Sequence, residues 1–214
     1  IFTARFLLAF MDLFRQWHAG GTVSKEDVAQ YYSYLPAYAY NKGSMDFHNG
    51  VERYLNRTPS GEYTAKMTYG MSVLYSPFFL LAHKITTNQQ ILRDGFSAPY
   101  SICIHWGCIF YAILGLFFLR QFLIHYFKEY IVATVMVLIF FGTNLFAYSM
   151  SYSEMSHAHL FMLFSALLWL SNSFYKKPST FKFILVGILL GFISLIRPVD
   201  IIFSFVFFLW DVTS

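Results

Sequence analysis

The sequence predicts an all-α polytopic membrane protein. It reads as a bundle of transmembrane helices whose first external loop is long and carries helices lying at the membrane interface. Three observations predict this. Hydrophobic residues make up 57% of the chain and charged residues only 12%, whereas ordinary soluble domains are about a quarter charged. The runs 95–119, 130–153 and 155–175 contain no Asp, Glu, Lys or Arg, and each is about as long as a helix needs to cross a hydrocarbon core of roughly 30 Å. The short loops between these runs alternate in basic content, which is the signal that sets orientation.

Taken in order, the first element is 1–17. It is apolar but interrupted by Arg5, Asp12 and Arg15, so it reads as the outer part of a first span, and it lacks the small-residue cleavage site of a secretory signal. The chain opens without Met and closes just after another apolar run. Both ends therefore read as cut, and 1–214 is expected to be one transmembrane domain within a longer protein. Residues 18–99 form the long loop. Further spans are expected over 100–120, 130–150, 158–174, 182–196 and 201–210. The loop 120–128 is basic, and "YKKPSTFK" at 175–182 carries Lys176, Lys177 and Lys182, while "SYSEMSHAH" at 151–159 has neither Lys nor Arg. The basic loops are thus expected inside the cell, with 151–159 and 18–99 outside. The segment 67–83, "MTYGMSVLYSPFFLLAH", is apolar but short and holds Pro77. Counting crossings makes it an interfacial or re-entrant helix, the alternative being a further full span that inverts everything after it.

The net charge of +4 comes from scattered residues with no Lys/Arg-rich run, so no nucleic-acid partner is expected. Cys103 and Cys108 lie five apart in one apolar run and read as small core residues rather than a disulfide. His105 reads as a packed core histidine. Asn56-Arg57-Thr58 matches a glycosylation acceptor pattern by chance, with Pro59 following. No phosphate-binding glycine loop, dinucleotide fingerprint or paired-cysteine zinc pattern occurs.

Polar residues with chemical potential gather at the outer ends. In "SKEDVAQYYSYLPAYAY" at 24–40, Ser24 followed by Asp27 resembles a capping box, and Glu26 and Asp27 suit a helix N-terminus. Asp27, Gln30, Tyr31 and Tyr34 also fall on one helical face. A carboxylate beside tyrosines at a membrane surface is a reasonable base for a hydroxyl acceptor. Pro36 is expected to push Leu35 out of helical geometry and end the helix. The tyrosines and phenylalanines of the loop, Tyr31 to Tyr63, make it too aromatic for disorder. In 151–159, Glu154 and His157 can share a face or simply form a polar helix start, and no metal site is expected there. Arg197 in "IRPVD" can take a phosphate, or anchor at the interface and pair with Asp200.

With these residues in view, the chain resembles the N-terminal part of the GT-C superfamily of integral-membrane glycosyltransferases, the protein mannosyltransferase and aminoarabinose transferase type. That family's long external loop opens with an acidic D-E-x-x-Y motif. Asp27-Val28-Ala29-Gln30-Tyr31 keeps the Asp and the Tyr, and Val28 stands where the motif has Glu. "TYGMSVLYSPFFLLAH" looks like the loop segment that returns to the membrane, and "GILLGFISLIRPVDII" like the family's Gly-rich span. The resemblance implies a GT-C-like bundle and transfer of a sugar from a polyprenyl-phosphate donor to a hydroxyl acceptor (glycan, lipid or protein). The reaction would take place on the external face of a multi-pass protein in the bacterial inner membrane. It implies Asp27 and Glu154 as the acidic catalytic pair. Tyr31, Tyr34, His157 and Arg197 are the expected substrate-binding residues, with no metal or other cofactor. The competing readings are a transporter or flippase-like module and a surface-polysaccharide polymerase or ligase. A transporter places ionisable residues near the midplane, where these spans carry almost none.

Overall fold

A computed structural model of the chain describes residues 22–24, 26–89, 94–152 and 154–210. The expected first span over 1–17 lies outside the described residues. Within them the protein is all-α, with about nine helices. The only strands among the described residues are the two-residue pairs β1 (Asn56–Arg57) and β2 (Tyr63–Thr64), which form a small antiparallel hairpin. The chain separates into two compact units. One holds the described residues up to Cys108 together with Met150–Met155, and the other holds Ile109–Ser149 and the described residues from Ser156 on.

The first unit opens with a 3₁₀ turn, Thr22–Ser24, and two short helices, α1 (Glu26–Tyr32) and α2 (Tyr34–Tyr40). Glu26 and Asp27 stand in the first turn of α1, where the helix dipole favours negative charge. Val28, Ala29, Tyr31 and Tyr32 are buried. The expectation for Pro36 needs correcting, because Leu35 is helical. Pro36 occupies the first turn of α2, where a backbone N–H has no intrahelical partner and its loss costs nothing. α1 and α2 meet at Ser33, whose own backbone is helical with φ −55° and ψ −24°, and they separate because Pro36 has no N–H to give Tyr32 O.

Residues 41–66 fold over α2. Asn41 Nδ2 donates to Ser44 O and Asp46 O at 3.0 and 2.8 Å. Ala37, Met45 and Leu55 form a small core of their own, covered by Tyr34, Phe47 and Tyr63. Helix α3 (Gly70–Gln89) runs 20 residues straight through Pro77. Proline cannot donate to the carbonyl four residues back, here Val73 O. The hydroxyl of Ser76 donates to that oxygen instead, at 2.7 Å, so the helix continues past the residue expected to interrupt it. Its buried positions Met71, Tyr75, Phe79, Ala82 and Thr86 recur at helical spacing. Helix α4 (Ala98–Leu123) follows. Its Gly107 lets Phe78 of α3 lie against it, since a Cβ there would meet the ring at 2.5 Å.

The second unit takes the rest of α4, then α5 (Glu129–Gly142), α6 (Leu145–Met150, up to Ser149), α7 (Ser156–Lys176), α8 (Thr180–Ile196), a 3₁₀ segment Pro198–Phe203 and α9 (Ser204–Phe208). The single helix expected over 130–150 is two. Thr143 ends α5, its hydroxyl donating back to Ile139 O at 2.6 Å and accepting from Leu145 N at 3.2 Å. The expected 201–210 span is the 3₁₀ segment and the five-residue α9. Helix α8 stops at Ile196 because Arg197 precedes Pro198 and is extended, with φ −140° and ψ 108°.

Among the described residues two helices, α4 and α7, are long and apolar enough to cross a membrane, with mean hydropathies of 2.1 and 1.2. α7 and α8 form an antiparallel hairpin. Lys182 Nζ closes its turn by donating to Ser173 O and Lys177 O at 2.6 and 2.9 Å. Tyr126, in the turn between α4 and α5, donates to Asn172 Oδ1 near the same end of α7 at 2.9 Å. The two basic turns therefore share one end of the second unit.

Candidate functional site

In the first unit the site is built from α1, α2 and the start of α3. Asp27 is exposed at the head of α1. One turn further, Gln30 Oε1 accepts from Lys66 N at 2.8 Å. The Tyr34 hydroxyl donates to Met67 O at 2.7 Å, and burial pushes its pKa up. The Ser72 hydroxyl donates to Tyr31 O. Gln30, Tyr31 and Tyr34 thus all fasten to 66–72, with Asp27 on the solvated turn beyond them. Tyr31 is buried, and Tyr34 half-buried.

Glu154 belongs to the same unit. It is 5% exposed, and its backbone carbonyl accepts from the Tyr75 hydroxyl of α3. Its carboxylate acts electrostatically on Tyr75 and Cys108, and Tyr75 in turn interacts with Tyr31. One tyrosine of α3 therefore links the two expected acidic residues' surroundings. The acids themselves sit in opposite media, Asp27 solvated and Glu154 secluded.

Between α2 and α3 lies a groove of ≈ 400 Å³ lined by Tyr34, Leu35 and Tyr38 on one side and Tyr69, Ser72 and Val73 on the other. Tyr38 and Tyr69 are 82% and 53% exposed. The wall is aromatic and aliphatic, with hydroxyls at its edges.

In the second unit, His157 stands in the first turn of α7, its ring stacked on Tyr148 with centroids 3.8 Å apart. Arg197, at the end of α8, interacts electrostatically with His157. Asp200 N donates to Arg197 O at 3.0 Å, a backbone bond rather than the expected ion pair. The structure thus brings Asp27, Tyr31, Tyr34 and Glu154 into one unit, and His157 and Arg197 into the other. His105, Cys103 and Cys108 are buried and both cysteines are free. Among the described residues no group of three His, Cys, Asp or Glu side chains is placed to hold a metal ion.

Sequence reasoning missed Tyr75, Tyr40, His83 and Tyr100. Tyr40 OH lies 2.6 Å from His83 Nδ1 and 2.5 Å from Tyr100 OH, which ties α2 to α3 and α4. The helical spacing of Tyr75, Phe79 and His83 was the available signal, since it marks the face of α3 that meets α1 and α2. No protein-family model, curated protein or solved structure matches the chain.

Proposed function

We propose that the chain belongs to a multi-pass membrane glycosyltransferase of the GT-C type. In this reading it moves a sugar from a polyprenyl-phosphate donor to a hydroxyl acceptor at the external face of the bacterial inner membrane. The observation that carries the reading is the apolar groove between α2 and α3, because it suits a lipid chain. The helix that precedes the groove, α1, presents the exposed carboxylate of Asp27 in its first turn. Tyr34 stands seven residues beyond Asp27, which is about 10 Å of helix rise. The shared end of the two basic turns supports the orientation, because positive loops face the cytoplasm. The opposite end of the α7–α8 hairpin carries His157 and Arg197.

In the reaction, Asp27 accepts the acceptor's hydroxyl proton, the acceptor oxygen bonds to the sugar's anomeric carbon, and the bond from that carbon to phosphate breaks. The electron pair leaves on the polyprenyl phosphate, whose charge a cation offsets. Glu154 is the alternative base.

The experiment is transfer of a labelled sugar from a polyprenyl-phosphate donor by the full-length protein in nanodiscs. Asp27→Asn keeps the capping ability of the side chain but removes the base, so the rate should fall about 10²- to 10⁴-fold at equal folded protein. Near-normal turnover returns Asp27 to a structural cap. Loss in Glu154→Gln alone moves the base there.

A further inference from the structure

A second cavity of the first unit, ≈ 390 Å³ in volume, lies apart from the α2–α3 groove. It is an open cavity lined by Tyr40 and Asn41, the turn 46–49, and Asp94 with Phe96. Its size falls in the range of small-ligand pockets, about 300–1,000 Å³.

Besides Asn41, His48 and Asn49, the side chains around it are of two kinds. One is an aromatic surface. Phe47 and Phe96 meet edge to face with centroids 5.0 Å apart, and Phe96 is itself set against Tyr32 at 5.8 Å. Tyr40 is fixed through its hydroxyl by His83 and Tyr100. The other is a pair of carboxylates. Asp94 uses Oδ1 alone to accept from Phe96 N and Ser97 N at 2.8 and 2.9 Å. Asp46 Oδ1 stands 3.3 Å from His48 Nδ1. Asn41 is oriented by its two bonds to backbone oxygens.

No Lys or Arg lines this cavity, so it is a poor place for a phosphate or other anion. Carboxylates only accept hydrogen bonds when ionised, so the ligand must donate them. The aromatic walls call for a ligand that also presents an apolar face. A sugar ring combines the two, with hydroxyl donors at its rim and C–H groups on its face. Because the walls are fixed by bonds elsewhere in the unit, little ordering is needed on binding.

We infer that this cavity is a saccharide-binding pocket, with Asp46 and Asp94 taking ring hydroxyls and Phe47, Phe96 and Tyr40 receiving the ring. Its assignment as the seat of the acceptor, which makes that acceptor a glycan rather than a protein, rests on the function proposed above. The pocket itself does not.

The test is saturation-transfer NMR on the full-length protein in nanodiscs. The probes are chitotetraose, cellotetraose, mannotetraose and maltotetraose, with a Ser/Thr-rich decapeptide as the competing class. At least one saccharide should bind. Its affinity should fall tenfold or more in Asp46→Asn/Asp94→Asn, a substitution that keeps the Asp94 Oδ1 acceptor and so leaves the melting curve unchanged. Phe47→Leu, which preserves apolar volume, should weaken the same saccharide. Absence of binding by all four saccharides, binding that survives the double variant, or displacement by the decapeptide overturns the inference. Failure of sugar transfer in every assay, with binding present and lost in the double variant, overturns the proposed reaction while the pocket stands.

Discussion

The two units of this chain are held together differently. In the first, hydroxyl groups reach across to backbone carbonyls of distant segments: Tyr32 to Gly95, Tyr34 to Met67, Ser72 to Tyr31 and Tyr75 to Glu154. The second packs rings on rings, as in Phe164 on Phe203 at 3.9 Å and Phe118 by Trp169 at 5.4 Å; the first has ring pairs too, such as Tyr32 with Phe79 at 6.0 Å, but adds these hydroxyl bonds to them. In the second unit Tyr175 donates to Phe207 O and Tyr126 to the Asn172 side chain, both toward one end of α7. The difference follows from element length. Long helices satisfy their own backbone groups except at their ends. Short helices and turns leave carbonyls that something else must satisfy, and in the first unit tyrosine and serine do so.

The comparison can be broken first at Gly95. It has φ +81°, and a Cβ there would meet Pro36 Cβ at 2.7 Å. Gly95→Ala combines a left-handed backbone penalty with a clash against a rigid ring, and should cost about 2–4 kcal/mol. Thermal unfolding in a fixed detergent should show the loss, and an unchanged midpoint would mean that the 94–97 turn does not depend on this contact. Gly115→Ala is the counterpart in the second unit. Its Cβ would stand 2.9 Å from Met162 Cα. That neighbour is backbone and cannot rotate away, so a cost of about 1–3 kcal/mol is expected. Gly107→Ala meets only the Phe78 side chain and should cost less. If the two alanines proved equal, the distinction between backbone and side-chain neighbours would fail.

Third in size is Tyr32→Phe, which leaves Gly95 O without its donor inside the protein. The expected cost is about 1–3 kcal/mol. Burial raises the pKa of this hydroxyl well above the ordinary tyrosine value, the electrostatic influence of Tyr100 adding to it. The neutral, donating form is therefore the one the fold retains into alkaline solution. Ultraviolet difference titration of the wild type against Tyr32→Phe measures this, and an ordinary tyrosine midpoint assigned to Tyr32 would contradict it.

The smallest effect is local to 49–54. Burial pushes the Glu52 carboxyl up, but backbone N–H groups, including those of Asn49 and Gly50 at 3.4 and 2.8 Å, outweigh it and hold the group below its usual range. A carboxyl depressed in the fold contributes stability above its unfolded pKa and loses it as pH falls through the folded value. Hydrogen exchange over 49–54, corrected for intrinsic rates, should therefore quicken in acid below the ordinary carboxylate range. Glu52→Gln should show the faster exchange already at neutral pH and no acid step.

These contrasts also explain what could be read in advance. The long helices α4 and α7 follow from uncharged runs, because apolarity over about 20 residues is a local property. The division of 130–150 at Thr143 left only the short turn-forming Gly142-Thr143-Asn144 as its trace, which a count of charges over the run passes by. Pro77 misleads in the other direction, because the group that rescues its helix, the Ser76 hydroxyl, acts through geometry rather than composition. In the candidate site, the face shared by Gln30 and Tyr34 was visible in helical spacing. The burial of Glu154 was not. Its partner Tyr75 is 79 positions away, and a single sequence carries no trace of such a pairing.

Lys182 has a consequence of another kind. Under the membrane orientation proposed above, it is one of the positive charges of the 175–182 stretch that would be read during synthesis, while the chain is still extended. Once the α7–α8 hairpin closes, its ammonium faces Ser173 O and Lys177 O, the electronegative end of the helix it follows. On that reading one charge serves twice, first as an orienting signal and then as the clasp of the finished hairpin.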